Sequence, residues 1–117
     1  MTEGPWPRAL VAEAAWQASY DDPIRLRAGE CLTLTGRDDL WDGHRWLWAQ
    51  AGDGRQGWVP DTLVADGRAA EEYSARELSC DAGEAVTGLR ATHGWVWCSN
   101  AAGAEGWIPA RHLTDAR

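Results

Sequence analysis

Gly57-Trp58-Val59-Pro60 and Gly106-Trp107-Ile108-Pro109 say nearly the same thing 49 residues apart. A repeat of that period constrains the fold more than any single motif, because two copies of one small unit must each bury a core. The echo continues upstream. Trp46-Leu47-Trp48-Ala49 is answered by Trp95-Val96-Trp97-Cys98 at 49, Ala28-Gly29-Glu30 by Ala82-Gly83-Glu84 at 54, and Trp16-Gln17-Ala18 by Tyr73-Ser74-Ala75 at 57. The falling offset confines the length differences to the joints between intact blocks, as loops in two copies of one fold would.

The repeat divides 117 residues into halves of roughly 50–55 residues, a size with few spare contacts. The aromatic complement is nine Trp, two Tyr and no Phe, more than two small cores need, so some Trp faces are expected at a binding surface or between the repeats. A net charge of −7 without a basic stripe argues against nucleic acid. No apolar run approaches the roughly 20 residues that span a bilayer, and residues 1–8 lack the basic-then-apolar pattern of a signal peptide. Three cysteines with no CxxC pair indicate neither a disulfide framework nor a zinc site. Cys80 and Cys98 fall on inward phases and Cys31 on an outward one, so two buried thiols, one exposed thiol and a cytoplasmic setting are expected.

The pattern is that of strands. Leu32 and Leu34 alternate with Thr33, and Val86 holds the matching phase in the second copy. The Trp-X-Trp runs are good β formers. Each is followed by a Gly-rich turn and then Gly-Trp-(Val/Ile), which makes a hairpin whose second arm ends at Pro60 or Pro109. Leu26, Leu32, Leu34, Trp48 and Ala49 are expected in one core, and Cys80, Val86, Trp97 and Cys98 in the other. Residues 1–8 read as a flexible leader, 9–64 and 69–115 as the two domains, and 65–68 as the linker.

In this order and spacing the residues resemble the Src-homology-3 (SH3) family twice over, in a variant, bacterial-like form. Ala69-Ala70-Glu71-Glu72-Tyr73 matches the family's opening and Glu77-Leu78-Ser79-Cys80 its next strand. The Gly-Glu turns, the Trp hairpins, Gly-Trp-(Val/Ile)-Pro and the closing Asp61-Thr62-Leu63-Val64 and Ala110-Arg111-His112-Leu113 complete the two patterns. The resemblance implies an all-β chain of two five-stranded SH3-like barrels in tandem, with a groove that binds Pro-rich peptides in the polyproline II conformation. It places Trp46 and Trp95 at the hairpin Trp of that groove, Pro60 and Pro109 at its proline, and Trp16 and Tyr73 at its second tyrosine. Leu63 and His112 stand at the closing tyrosine, and Asp21, Asp22 and Glu77 supply loop acids for a basic ligand. The first tyrosine is replaced by Ala14 and Glu71, so one wall of the proline slot is missing and a Pro-rich peptide alone is expected to bind weakly. Trp41, on the extra residues of the first copy's hairpin-entry loop, is a further recognition candidate.

Catalysis is not indicated. His93 lies five residues before Cys98, but the thiol is expected inside and the imidazole on a loop. His44 and His93, each two residues before a hairpin Trp, are expected to be exposed loop histidines rather than metal ligands. The expectation is a non-enzymatic module, without cofactor or metal, for a protein or peptide partner that is basic and Pro-containing. Two alternatives stand beside it: a cell-wall or cell-surface ligand module of the bacterial SH3 type, and a structural accessory subunit of a larger enzyme.

Overall fold

The computed structural model describes residues 6–116. In chain order the strands are β1 (Arg8–Ala12), β2 (Arg25–Leu26), β3 (Leu32–Trp41), β4 (His44–Ala51), β5 (Gln56–Pro60), β6 (Val64–Ala65), β7 (Arg68–Ala69), β8 (Tyr73–Ser74), β9 (Ala85–Thr92), β10 (Trp95–Ser99), β11 (Glu105–Pro109) and β12 (Leu113–Asp115). Short 3₁₀ turns, Asp61–Leu63 and Ala110–His112, follow the two prolines that end β5 and β11. The all-β expectation holds: among the described residues there is no α-helix. No closed barrel is found among the described residues. Hydrogen bonding gives one open five-stranded sheet in the order β11-β10-β9-β1-β12, a three-stranded sheet β3-β4-β5, and the two-stranded ladders β2-β8 and β6-β7.

Three two-residue turns set the hairpins. Asp42-Gly43, Asp66-Gly67 and His93-Gly94 all have positive φ at both residues (52° and 80°, 52° and 72°, 49° and 82°). That is the type I′ pattern, whose twist matches that of the strands it joins, and Gly supplies it without a Cβ penalty. They connect β3 to β4, β6 to β7 and β9 to β10.

The second of these turns changes the domain boundaries. Residues 65–68, expected as a linker, are a hairpin in which Ala65 pairs with Arg68 and Val64 with Ala69. The end of the first copy is thereby zipped to the start of the second. The chain accordingly divides into a split unit, Met1–Ser19 with Glu77–Arg117, and a continuous unit, Tyr20–Arg76. Neither coincides with the expected 9–64 and 69–115.

The exchange is reciprocal, bond for bond. In the continuous unit Gly29 N–H donates to Ala69 O (2.7 Å) and Ala69 N–H to Glu30 O (2.9 Å). In the split unit Gly83 N–H donates to Ala12 O (2.7 Å) and Ala12 N–H to Glu84 O (2.9 Å). Leu26 pairs with Tyr73, while the equivalent Cys80 bridges to Trp16. Residues 8–12 therefore pair with β9 and β12, and residues 68–74 pair with β6 and β2. The Ala-Gly-Glu echo has a local role as well. Glu30 accepts from Arg27 N–H (2.9 Å) and Glu84 from Asp81 N–H (3.0 Å), closing the same turn in both units.

The split unit buries Leu10, Ala12, Leu78, Cys80, Val86, Val96, Cys98 and Ile108, with Trp6 packed partly against them. The expected leader therefore ends early: Trp6 is on the core and Arg8 begins β1, while residues 1–5 lie outside the described residues. The continuous unit buries Ile24, Leu26, Leu32, Ala49, Ala51, Val59 and Leu63. Three expected core residues are elsewhere. Leu34 is 44% exposed, and Trp48 and Trp97 are only half-buried. Alternation gives the inward phase to Ala49 and Cys98, both fully buried, and turns the adjacent Trp to the opposite face.

The glycine of each Gly-Trp-(Val/Ile)-Pro block is required by a chain crossing. A Cβ on Gly106 would lie 2.7 Å from Glu77 C and 2.8 Å from Leu78 N; on Gly57 it would lie 2.9 Å from Ile24 Cγ2. Backbone at Gly106 cannot give way as a side-chain methyl can. Gly106→Ala is expected to lower stability by roughly 1–3 kcal/mol and Gly57→Ala by less, read from urea midpoints. The exchange supplies a second test. A fragment of residues 20–76 carries all its pairing partners and should show dispersed amide resonances, with the Gly29 and Ala69 amides protected from exchange.

Candidate functional site

In the split unit, Trp16 follows β1 and is fixed by a reciprocal backbone pair with Cys80, N–H to O at 2.9 Å in both directions. Its half-buried ring stands edge-on to Trp95 (centroids 5.4 Å, 81°) and to His112 (5.4 Å, 90°). Edge-to-face contacts of this kind set one ring's edge against the other's face and hold the rings at defined angles. Trp95 begins β10 opposite Pro109, which is buried, and His112 ends the 3₁₀ turn after it. His112 Nδ1 is buried and has no hydrogen-bond partner among the described residues.

Glu77 holds the far side. Its Oε1 accepts from Trp16 Nε1 (3.1 Å), Ser19 N–H (2.9 Å) and Ser19 Oγ (3.0 Å). Ala18 N–H donates to Ser79 Oγ (2.9 Å), so the stretch from Trp16 to Ser19 is pinned at several points. One side of Trp16 also borders an open pocket of about 320 Å³ lined by Ser79, Asp81 and Glu84 among others. The sequence assigned Trp16 to one copy and Glu77, Trp95, Pro109 and His112 to the other; the strand exchange makes them one site.

The equivalent residues of the continuous unit are closed off. Trp46 is 8% exposed and Tyr73 5%, Pro60 and Leu63 are buried, and the Tyr73 hydroxyl donates to Trp58 O at 2.8 Å. Asp22, expected to await a ligand's cation, is paired with Arg55 at 3.0 Å, and Asp21 is exposed beside it in sequence. The hydrogen bond and charge of Asp22, then Asp53, raise the pKa of Arg55 above its ordinary value. Trp41 is not on a loop. It is the half-buried last residue of β3, paired with His44, because the extra residues of this copy lengthen both hairpin arms rather than forming a loop.

A feature not anticipated from the residues is an Arg–Trp–Trp stack in each unit. Trp48 and Trp58, directly opposite on β4 and β5, meet edge-on at 5.0 Å, and the Arg37 guanidinium lies 4.8 and 5.0 Å from their ring centres. Trp97 and Trp107 on β10 and β11 do the same at 5.1 Å, with Arg90 at 5.9 and 5.5 Å. The first indole of each pair donates across the ladder, Trp48 to Gln56 (2.7 Å) and Trp97 to Glu105 (3.0 Å). The signal was present in the sequence: Arg37 and Arg90 stand 53 apart, close to the repeat offset. Each stack covers the outer face of a hairpin and explains much of the Trp excess. A cation–π contact of this kind contributes about 0.5–1 kcal/mol where exposed.

The thiols behave as expected. Cys31 is exposed; Cys80 and Cys98 are buried. Burial raises the Cys80 pKa, and burial followed by the proximity of Cys80 pushes Cys98 up to about 12. A thiol with that pKa supplies almost no thiolate at neutral pH. His93 occupies a type I′ turn with Nδ1 3.1 Å from Thr92 Oγ1. Among the described residues no group of three or more His, Cys, Asp or Glu is arranged to hold a metal ion.

Glu77→Ala removes the acceptor that ties Trp16 to Ser19. The expected result is a stability loss of about 1–2 kcal/mol and an upfield move of the Trp16 indole N–H resonance, with the other indole signals unmoved.

Residues 11–66 match the family model of the variant SH3 domain, a little under half of the chain. Domains of this kind are protein-interaction modules, generally without catalysis. The match runs through residues that the structure divides between its two units. No curated protein and no solved structure is significantly similar to the chain.

Proposed function

We propose, with the SH3 match as premise, that the chain is a non-enzymatic binding module that captures a basic, Pro-containing peptide segment on the split unit's aromatic face. The observation that supports this most is the Trp16–Trp95–His112 cluster flanked by Glu77 and Pro109. It sets partly exposed ring faces next to a carboxylate whose orientation is already fixed. An Arg or Lys over such a face gains cation–π attraction of about 0.5–2 kcal/mol. Preorganisation lowers the ordering cost of binding, since the rings are held before the ligand arrives. The missing first tyrosine weakens the proline slot, so the basic residue carries much of the affinity. The closed state of Trp46 and Tyr73 disfavours the continuous unit as the second groove. A cytoplasmic setting belongs to the same proposal, supported by the three free cysteines.

A basic Pro-rich peptide titrated into the labelled chain should bind with a Kd of roughly 0.1–1 mM. Amide and indole shifts should centre on Trp16, Glu77, Trp95 and His112. Trp95→Ala should weaken binding about tenfold, equivalent to about 1.4 kcal/mol, without loss of fold, and added salt should weaken it further. Shifts confined to other faces would refute the reading.

A further inference from the structure

The same sheet edge is filled in one unit and bare in the other. In the split unit, β9 is covered by β1: Leu10 pairs with Val86 and Arg8 with Gly88. The cover is tight, since a Cβ on Gly88 would lie 2.7 Å from Leu10 Cδ1 and 2.8 Å from Trp6 Cζ3. The repeat offsets carry this arrangement to β3, where Leu32 takes the place of Val86 and Leu34 that of Gly88. The covering strand starts as before, with Leu32 N–H donating to Gly67 O (3.0 Å) and Cys31 bridging to Arg68. It then stops. The positions equivalent to Arg8 and Ala9 are Ala65 and Asp66, which already belong to the β6–β7 hairpin and turn away.

What remains at Leu34 is a strand edge that no other strand pairs among the described residues. Backbone groups two residues apart face the same edge, so the N–H and C=O of Leu34 point where Leu32 N–H points, with no strand beyond them among the described residues. Among the described residues β3 pairs only with β4 along this length, and residues 33–40 are all exposed. Leu34 is 44% and Leu40 71% exposed, so apolar side chains accompany the open edge. Such an edge is a template for strand addition.

We propose that the β3 edge around residues 33–35 accepts an extended peptide from a partner as an added antiparallel strand. The occupant carries an apolar side chain beside Leu34 and Lys or Arg toward its N-terminal end. The direction follows from β1, which runs antiparallel to β9 at the equivalent edge. An antiparallel occupant places its N-terminal end near Asp38, Asp39 and Asp42; Asp38 is paired with Arg45 at 3.0 Å, and with Arg37 and Arg45 counted residues 37–45 keep a net charge of −1, which favours a cation there over an anion. The chain's net charge of −7 selects against a second copy of itself. This surface lies in the continuous unit and does not depend on the Trp16–Trp95 face.

The probe is a capped heptapeptide, Lys-Lys-Trp-Thr-Val-Thr-Val, titrated into the isotopically labelled full chain. Saturable shifts at residues 33–35 and at least tenfold slower exchange of the Leu34 amide are expected. N-methylation of alternate peptide amides, which leaves the protein untouched, should weaken binding at least tenfold. Leu34→Pro, which removes the outward N–H together with the leucine side chain, should do the same, and Trp95→Ala should leave the affinity unchanged. Equal binding of the methylated peptide would overturn the proposal. So would shifts at Trp16 and Trp95 instead of 33–35, a result that would leave the groove reading standing. Concentration-dependent protection of Leu34 without peptide would replace the partner by a second copy and also overturn it.

Discussion

Asp66-Gly67 governs the architecture. A two-residue Asp-Gly turn flanked by strand-forming residues closes a hairpin locally, and its positive φ values show that it does so here. The alternative, with β6 pairing to the opening strand of its own copy, would close a loop of roughly fifty residues. Closure cost rises with loop length, and a two-residue turn with the preferred Asp-Gly chemistry forms more readily than a loop of that size. The exchange also forces β1 to reach β12 across about 100 residues, but a doubling of loop length costs only about 0.6 kcal/mol. The backbone pairs match one for one at Gly29–Ala69–Glu30 and Gly83–Ala12–Glu84, so these bonds do not favour either arrangement. The local turn is then the term left to decide.

From that turn the asymmetry between the units follows. The split unit receives a full-length opening strand with Trp6 and Leu10 laid over Gly88, and it forms a five-stranded sheet. The continuous unit receives only Arg68–Ala69 and Tyr73–Ser74, because the residues before them are spent on the hairpin. Its core is still closed by Leu26, Ala49 and Val59, but the β3 edge is left without cover. One turn thus produces a complete sheet beside an aromatic site in one unit and an open strand edge in the other.

The tryptophans divide by strand phase. Trp16 and Trp95 form the partly exposed aromatic face with His112, whereas Trp48, Trp58, Trp97 and Trp107 cover outer hairpin faces beneath Arg37 and Arg90. The stacks are self-satisfied, each indole cluster meeting a cation from its own chain. The face around Trp16 has instead a carboxylate at its rim. That difference in neighbouring charge is what separates a structural use of Trp from one suited to a basic ligand.

The sequence by itself determined the all-β character, the hairpins and the burial of Cys80 and Cys98 against the exposure of Cys31. These depend on residue spacing of two and on turn chemistry, both of which are local. It also supplied the members of the aromatic face, Trp16, Glu77, Trp95, Pro109 and His112, though not as one set. Only the tertiary structure decided which copy each opening strand would serve, because equivalent copies offer the same bonds to either. It likewise turned Trp48 and Trp97 outward, since in a strand with apolar residues on both phases alternation alone does not say which phase is inside. Leu34 has the pattern of a core residue and is exposed for a reason no local window contains. The strand that would have covered it was drawn into a hairpin by the two residues Asp66 and Gly67.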